Sequence, residues 1–322
     1  QFKTILIGNS RVLKDSFNRL ISMSRSTGNH LVGYINCEDN ITIEQISIPK
    51  LGHLNELEKI LNENKIEEAI LTVDKEKFTD IANTINILAY HDIITKVTPD
   101  LVDLLAGKVK MRSFFDMPLI EIKQIKMSFF ESFLKRSIDI IFSLIILIVL
   151  SPLLLLISIL VKYSSKGPVF YRQKRIGLRG KIFNIIKFRS MYINSEKDKP
   201  LLSSKQDTRI TAWGKIMRKY RLDELPQFYN VLIGEMSVVG PRPERKFFAD
   251  QILLEAPHYK LIHKVRPGIT SWGMVKFGYA ENIKEMISRL KYDIIYIENL
   301  SILNDFKVFV LTILIVLQGR GK

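Results

Sequence analysis

Cysteine is nearly absent: the 322-residue chain has one, Cys37. No intrachain disulfide can form and no cysteine cluster can hold zinc. Cys37 itself reads as a small buried hydrophobe ending a strand. The three-glycine dinucleotide fingerprint is missing too. The strand-like run KTILIG at residues 3–8 ends in Gly8-Asn9-Ser10-Arg11. One glycine there supplies a tight turn, but not the close backbone approach that a pyrophosphate needs. Excess positive charge is absent from the first part of the chain. Residues 1–130 carry 16 Lys+Arg and 17 Asp+Glu, whereas residues 131–322 carry 32 and 16. The net charge of +15 therefore belongs to the second part, which should meet headgroups, phosphates or nucleic acid. Hydrophobic residues make up 47% of the chain, which excludes wholesale disorder. The start at Gln1 rather than Met leads us to expect a segment upstream.

Strand-like and helix-like runs alternate through the first part. Strands are expected over residues 3–8, His30–Cys37, a short Ile46–Ile48, Ala69–Val73 and Ile93–Val97. Helices are expected from after Ser10 to about Arg25, over Asn55–Asn64 and over Lys75–Tyr90. Such alternation means a parallel sheet with crossover helices, a Rossmann-like (CoA-binding-like) α/β domain over residues 1–110. Residues 111–132 have mixed periodicity and read as a linker.

Ile138–Val161 is apolar except for Asp139, Ser143, Ser151, Pro152 and Ser158. As a straight helix it would reach about 36 Å, enough to cross a bilayer core of about 30 Å. Proline near its middle predicts a bend. Both flanks are cationic, with Lys135 and Arg136 before and Lys162, Lys166, Arg172, Lys174 and Arg175 after. Such flanks stay cytoplasmic. The segment, at about 136–162, then enters and turns back, although a kinked span stays open on these features alone. The Ser151 hydroxyl could satisfy backbone freed at the bend. Phe306–Leu317 is too short to span and fits a core helix, a strand or an interfacial helix.

The chemistry-bearing residues lie beyond the apolar segment. KIFNIIKFRSM (Lys181–Met191) alternates like a strand and carries Lys187 and Arg189. Ser195–Asp207 is loop-like. A helix is expected over Gly214–Tyr220 and another starting near Leu222, with Pro226 in its first turn. That places Asp223 and Glu224 at its positive end. Arg218, Lys219 and Arg221 precede the pair, while Arg242 and Arg266 sit in stiff Pro/Gly loops. Guanidiniums suit bidentate phosphate contact. Adjacent carboxylates can share Mg²⁺ with phosphate oxygens, and a carboxylate can be a nucleophile toward phosphorus. These parts suit phosphoryl transfer. Taken singly, the carboxylates could equally cap a helix and the arginines form salt bridges.

The second part resembles the bacterial sugar transferases, the monotopic phosphoglycosyl transferases. The matching stretches are Lys135-Arg136-Ser137-Ile138-Asp139, Ser151-Pro152, Gly167–Gln173, Lys187–Met191, Leu222–Gln227, Met236–Pro243 and Arg266–Thr270. They span nearly all of residues 133–322 in order. The resemblance implies an α+β catalytic domain with a re-entrant membrane hairpin, anchored by Lys135, Arg136 and Asp139 and broken at Ser151-Pro152. It implies that Asp223 attacks the β-phosphorus of a UDP-sugar, and that undecaprenyl phosphate then takes the phosphosugar at the cytoplasmic face of the inner membrane. Glu224 would assist, with Mg²⁺ held by Asp223 and Glu224. Arg218, Arg242, Arg266, Lys187 and Arg189 would bind phosphates. Phospholipid is an implied partner, and a homodimer is compatible with the resemblance. Two departures stand out. Arg221 occupies a position where many members carry Ser or Thr, which removes a hydroxyl cap. Ser271-Trp272-Gly273-Met274 stands where many read Gly-Trp-Ala-Gln. The competing reading is a non-catalytic, membrane-docked nucleotide sensor. Nucleic-acid binding is set aside, because no recognised motif appears and the long apolar run argues against it.

Overall fold

The computed structural model describes residues 2–22, 29–37, 47–72, 80–99, 119–122, 127–193, 200–201 and 207–319. Val73, the start of the expected Lys75–Tyr90 helix, nearly all of the 195–207 loop and much of the expected linker lie outside these. The chain divides into two units, Gln1–Gln124 and Ile125–Lys322.

In the first unit, β1 (Phe2–Gly8), β2 (Asn29–Asn36), β3 (Lys50–His53), β4 (Glu68–Thr72), β5 (Ile94–Val97) and β6 (Ile120–Ile122) form one sheet in the order β3-β2-β1-β4-β5-β6. Pairing is parallel from β3 to β5, and β6 closes the edge antiparallel. Among the described residues its α-helices are α1 (Ser10–Ser22), α2 (Leu57–Asn64) and α3 (Ile81–Tyr90). Ile5, Leu6 and Ile7 are all fully buried, because helices cover both faces. Ile5 and Ile7 join the cluster of Leu57, Ile60, Leu61 and Leu88, while Leu6 joins Leu13, Phe17 and Leu20 of α1. A Cβ at Gly8 would lie 2.2 Å from the Thr72 carbonyl oxygen. Close packing against β4 thus accounts for that glycine. Of the expected Ile46–Ile48, Ile46 lies outside the described residues and Ser47 and Ile48 are not in a strand; the third strand falls at Lys50–His53. Its ladder to β2 begins with the Pro49 carbonyl, which accepts from the Tyr34 amide at 3.0 Å.

The second unit opens on α4 (Phe129–Val149), capped by a Ser128–Glu131 box. Leu150 ends α4 and begins α5 (Ser151–Ser164), and the two helices are bent by 63°. Proline is the second residue of α5, where it needs no helical acceptor for a missing N–H. The N-terminus of α5 has no side-chain cap, so the expected role of the Ser151 hydroxyl is not observed. Among the described residues no single helix is long and apolar enough to cross a membrane. One side of the pair is apolar and exposed: Phe130, Ile141, Ile145, Ile148, Leu155 and Leu156 lie between 52% and 71% exposed. The other side holds the pair to the unit. Asp139 is buried and accepts from the Val238 amide at 3.1 Å, and Ile157 and Val161 pack on Phe188 and Met217. Lys135 is held by Asp305 and by the Val239 carbonyl.

Next come the hairpin β7 (Phe170–Ile176) and β8 (Ile182–Phe188), then α6 (Ala212–Lys219) and α7 (Gln227–Leu232). The short parallel pair β9 (Ser237–Val239) and β10 (Gly268–Thr270) flanks α8 (Lys246–Glu255). The chain closes with α9 (Trp272–Lys276), α10 (Ile283–Glu298) and α11 (Ile302–Leu317). Phe306–Leu317 is thus helical, with Val308 buried and Leu303, Phe306 and Leu317 exposed.

Candidate active site

Thr211 caps α6 by accepting from the Gly214 amide at 2.9 Å. After α6, Arg221 adopts φ 54, ψ 24 and turns the chain. A single 3₁₀ turn, Leu222–Glu224, follows. The α-helix expected from Leu222 begins only at Gln227. Pro226 has no N–H to return to Leu222, so the ladder restarts with Phe228 donating to Leu225 and Tyr229 to Pro226. Asp223 and Glu224 are therefore presented from a tight turn ahead of α7, and both are buried.

The two carboxylates have opposite surroundings. Glu224 Oε2 meets Arg221 Nη2 at 2.8 Å, and its Oε1 meets Lys187 at 3.0 Å and Arg242 at 3.5 Å. Burial alone would raise its pKa, but Arg221, Lys187 and Arg242 overcome that and hold it well below the usual range. Among the described residues no hydrogen bond or ion pair engages the Asp223 carboxylate. Burial and then the Glu224 charge push its pKa up, against the pull of Lys187, Arg218 and Arg221. A desolvated carboxylate with nothing bound to it is the better nucleophile of the two.

Asp223 and Glu224 line a cavity of about 540 Å³. Lys187, Arg218 and Arg242 line it too, as expected, and so do Arg175, Arg245, Arg289 and Tyr279, which were not singled out. Cations outnumber carboxylates on its wall, so it suits a polyanion such as a diphosphate. Tyr171, Gln173 and Arg175 alternate along β7 opposite Lys187, Ile185 and Phe183 of β8. That period of two was the available signal for Arg175. Burial lowers the Arg175 pKa to about 10, and Glu244 pulls it back up. Glu244 itself holds Arg175 and Arg289. Arg242 lies over the Tyr279 ring at 5.2 Å.

Two expected phosphate-binding arginines are placed otherwise. Arg189 sits at the cavity wall, but its guanidinium donates to the carbonyls of Val161, Ser165 and Lys166 at the end of α5. A Cβ at Gly167 would lie 2.1 Å from Arg189 Nη1, so the glycine makes room for this cap. Arg266 does not line the cavity and donates to the Gly234 carbonyl at 3.0 Å. Beside it Arg136 donates to Val231 and Leu232 at 2.7 and 2.9 Å. Arginines here satisfy carbonyls at helix C-termini, which lack intrahelical partners. The loops carrying Arg242 and Arg266 pack backbone to backbone, since a Cβ at Gly240 would lie 2.3 Å from the Arg266 oxygen. Of the two arginines, Arg242 lines the cavity and Arg266 does not.

Among the described residues no group of three or more His, Cys, Asp or Glu side chains could hold a metal ion. Mg²⁺ needs only one or two carboxylates when phosphate oxygens complete its shell. Asp223 fits that mode. Glu224 fits it where Lys187 and Arg242 both yield Oε1.

The family model described as "Bacterial sugar transferase" matches residues 130–319. The chain belongs to the bacterial sugar transferase family. A UDP-N-acetylgalactosamine-undecaprenyl-phosphate N-acetylgalactosaminephosphotransferase of Aeromonas hydrophila is 43% identical over 59% of this chain and 45% of its own. A UDP-glucose:undecaprenyl-phosphate glucose-1-phosphate transferase of Klebsiella pneumoniae is 44% identical over 62% and 42%. A protein of the same name from Xanthomonas campestris pv. campestris is 34% identical over 93% and 63%. The chain thus spans about half the length of these curated relatives. The solved UDP-D-quinovosamine 4-dehydrogenase of Vibrio fischeri covers 38% of this chain and 95% of its own at 17% identity and TM-score 0.28, a likeness too weak to carry an argument. Within the sugar transferase unit the two departures, Arg221 and Met274, touch: Arg221 Nη2 lies 3.5 Å from the Met274 sulfur.

Proposed function

We propose that this bacterial sugar transferase moves a sugar-1-phosphate from a UDP-sugar to undecaprenyl phosphate, the first step of exopolysaccharide, capsule or O-antigen synthesis. The observation that carries the reading is the unengaged Asp223 carboxylate beside a fully paired Glu224 in a cationic cavity. An Asp223 oxygen attacks the β-phosphorus of the donor. A phosphorus–oxygen bond forms, the bond to the bridging oxygen breaks, and that oxygen leaves with its electron pair as part of UMP. A phosphate oxygen of undecaprenyl phosphate then attacks the same phosphorus, and Asp223 departs as a carboxylate. Arg218, Arg242 and Lys187, with Arg175 and Arg245, hold the phosphates and offset their charge. Asp223 and Glu224 would hold Mg²⁺ with donor phosphate oxygens, and the ion would supply further charge neutralisation.

The bent pair α4–α5 is read as a re-entrant hairpin at the cytoplasmic face. Its exposed apolar side supports this, as do the cationic flanks. Phe170, Tyr171 and Ile193 form an exposed apolar stretch of the cavity wall, starting six residues past the end of α5. They suit the first isoprene units of the acceptor. Asp223→Asn in a membrane preparation with radiolabelled UDP-sugar and undecaprenyl phosphate is the test. Loss of lipid label is expected; label at the wild-type rate would exclude Asp223 as nucleophile. The relatives' names include both glucose and N-acetylgalactosamine donors, so a UMP-release screen over a panel of UDP-sugars identifies the donor here.

A further inference from the structure

Arg221 holds a backbone conformation that favours glycine, with φ 54 and ψ 24. A side chain there costs about 1 kcal/mol or more. The chain accepts that strain, and the side chain is fully used. Nε and Nη2 both reach Glu224 Oε2, at 3.0 and 2.8 Å. Nη2 also lies 3.3 Å from the Ile269 carbonyl oxygen and 3.5 Å from the Met274 sulfur. The guanidinium sits 6.0 Å from the Tyr279 ring, whose other cation is Arg242. Arg221 and Met274 do not line the cavity, whereas Glu224, Arg242 and Tyr279 do. Arg221 therefore stands behind Glu224, on the side away from substrate.

Met274 completes the arrangement. Its sulfur faces Arg242 Nη1 at 3.1 Å as well as Arg221. A thioether is a weak acceptor. It leaves Glu224 as the carboxylate that both guanidiniums contact, at 2.8 Å for Arg221 and 3.5 Å for Arg242.

We propose that Arg221 is a positioning residue of this transferase: from outside the cavity it pins Glu224 Oε2, so that Lys187 and Arg242 share the other oxygen and Asp223 is left unengaged for the donor phosphorus. Without it Glu224 turns and draws the cations out of register with the reacting phosphates. This rests on the reading of Asp223 as nucleophile.

The test uses the full chain and compares Arg221→Gly, Arg221→Ala and Arg221→Lys in steady-state UMP release and in thermal melting. Glycine relieves the strain and alanine keeps it, so Arg221→Gly melts above Arg221→Ala. The expected result is an equal fall in kcat for both, of about 10- to 100-fold as for other partners that orient a catalytic group, with KM for the UDP-sugar within about twofold of wild type, as for a group that does not touch substrate. Arg221→Lys restores part of kcat. Wild-type kcat in Arg221→Gly would overturn the proposal. So would kcat that follows melting temperature, with glycine better than alanine, since that marks a purely structural role. A rise in KM at constant kcat would place Arg221 on the substrate and also overturn it. If wild type releases UMP and Asp223→Asn does not, the nucleophile reading stands whatever these variants do.

Discussion

Adjacent in sequence and both buried, Asp223 and Glu224 meet opposite forces, and this separates their contributions to stability from their contributions to chemistry. The folded-state pKa of Asp223 is raised, so the stability it contributes is lost as pH rises through that value. Asp223→Asn should therefore raise the melting temperature at neutral pH while abolishing UMP release. Glu224 is depressed, and its contribution is present at neutral pH and lost in acid. Glu224→Gln leaves three buried cations short of a partner and should cost about 3 kcal/mol, read as a lower denaturation midpoint. A matched pair of arginines checks the remaining assignments. Arg189→Ala removes an α5 cap and should lower melting temperature with little change in KM. Arg218→Ala removes a cavity-lining charge and a hydrogen bond to Ser190 Oγ, and should raise KM beyond what any fall in melting temperature explains. At this scale the carboxylate pair, Lys187, Arg218 and Arg242 were legible only through their conjunction with the apolar segment and the family resemblance, because carboxylates among cations taken singly serve equally as caps and salt bridges. It could not separate Arg242 from Arg266. Both sit beside Pro and Gly, yet Arg242 lines the cavity and Arg266 donates to the Gly234 carbonyl. Arg289 and Tyr279 were illegible because they reach the cavity from segments 55 or more residues beyond the carboxylates.

Among the elements, the break at Leu150 sets, on the proposed re-entrant reading, how the apolar segment would meet a membrane. A straight helix would aim the Pro152 ring at the carbonyl four residues back, so the chain ends one helix and starts another. Replacing Ser151-Pro152 by Leu-Leu removes that obstacle and leaves an apolar stretch of about 36 Å. With Cys37 changed to Ser and a cysteine introduced at Tyr163, an exposed site, a membrane-impermeant thiol reagent should label the parent from the cytoplasmic side and the Leu-Leu variant from the opposite side. Labelling of the parent from the opposite side would contradict the re-entrant reading. The bend was legible from proline alone. The late start of α7 was not: Pro226 suits a first turn, but with no N–H to return to Leu222 it leaves Leu222–Glu224 as a separate 3₁₀ turn after the Arg221 turn. β6 was hidden because three residues of an edge strand carry too little periodicity to stand out in a linker.

For the whole molecule, charge and apolar surface are both concentrated in the second unit. On the proposed membrane reading, electrostatic attraction to anionic lipid would be screened by salt, whereas burial of the α4–α5 face in acyl chains would not. The chain should therefore stay with membranes through a high-salt wash and leave only with detergent. The parallel sheet of the first unit was legible because alternating buried strands and amphipathic helices leave few other solutions. The central claim concerns one atom pair, an Asp223 oxygen and the donor's β-phosphorus, and intact-mass spectrometry tests it most directly. Incubated with its UDP-sugar and no acceptor, the protein should release one equivalent of UMP and gain the mass of a phosphosugar on the peptide containing Asp223, with both signals absent in Asp223→Asn. UMP release that waits for undecaprenyl phosphate, with no adduct on the protein, would contradict the account.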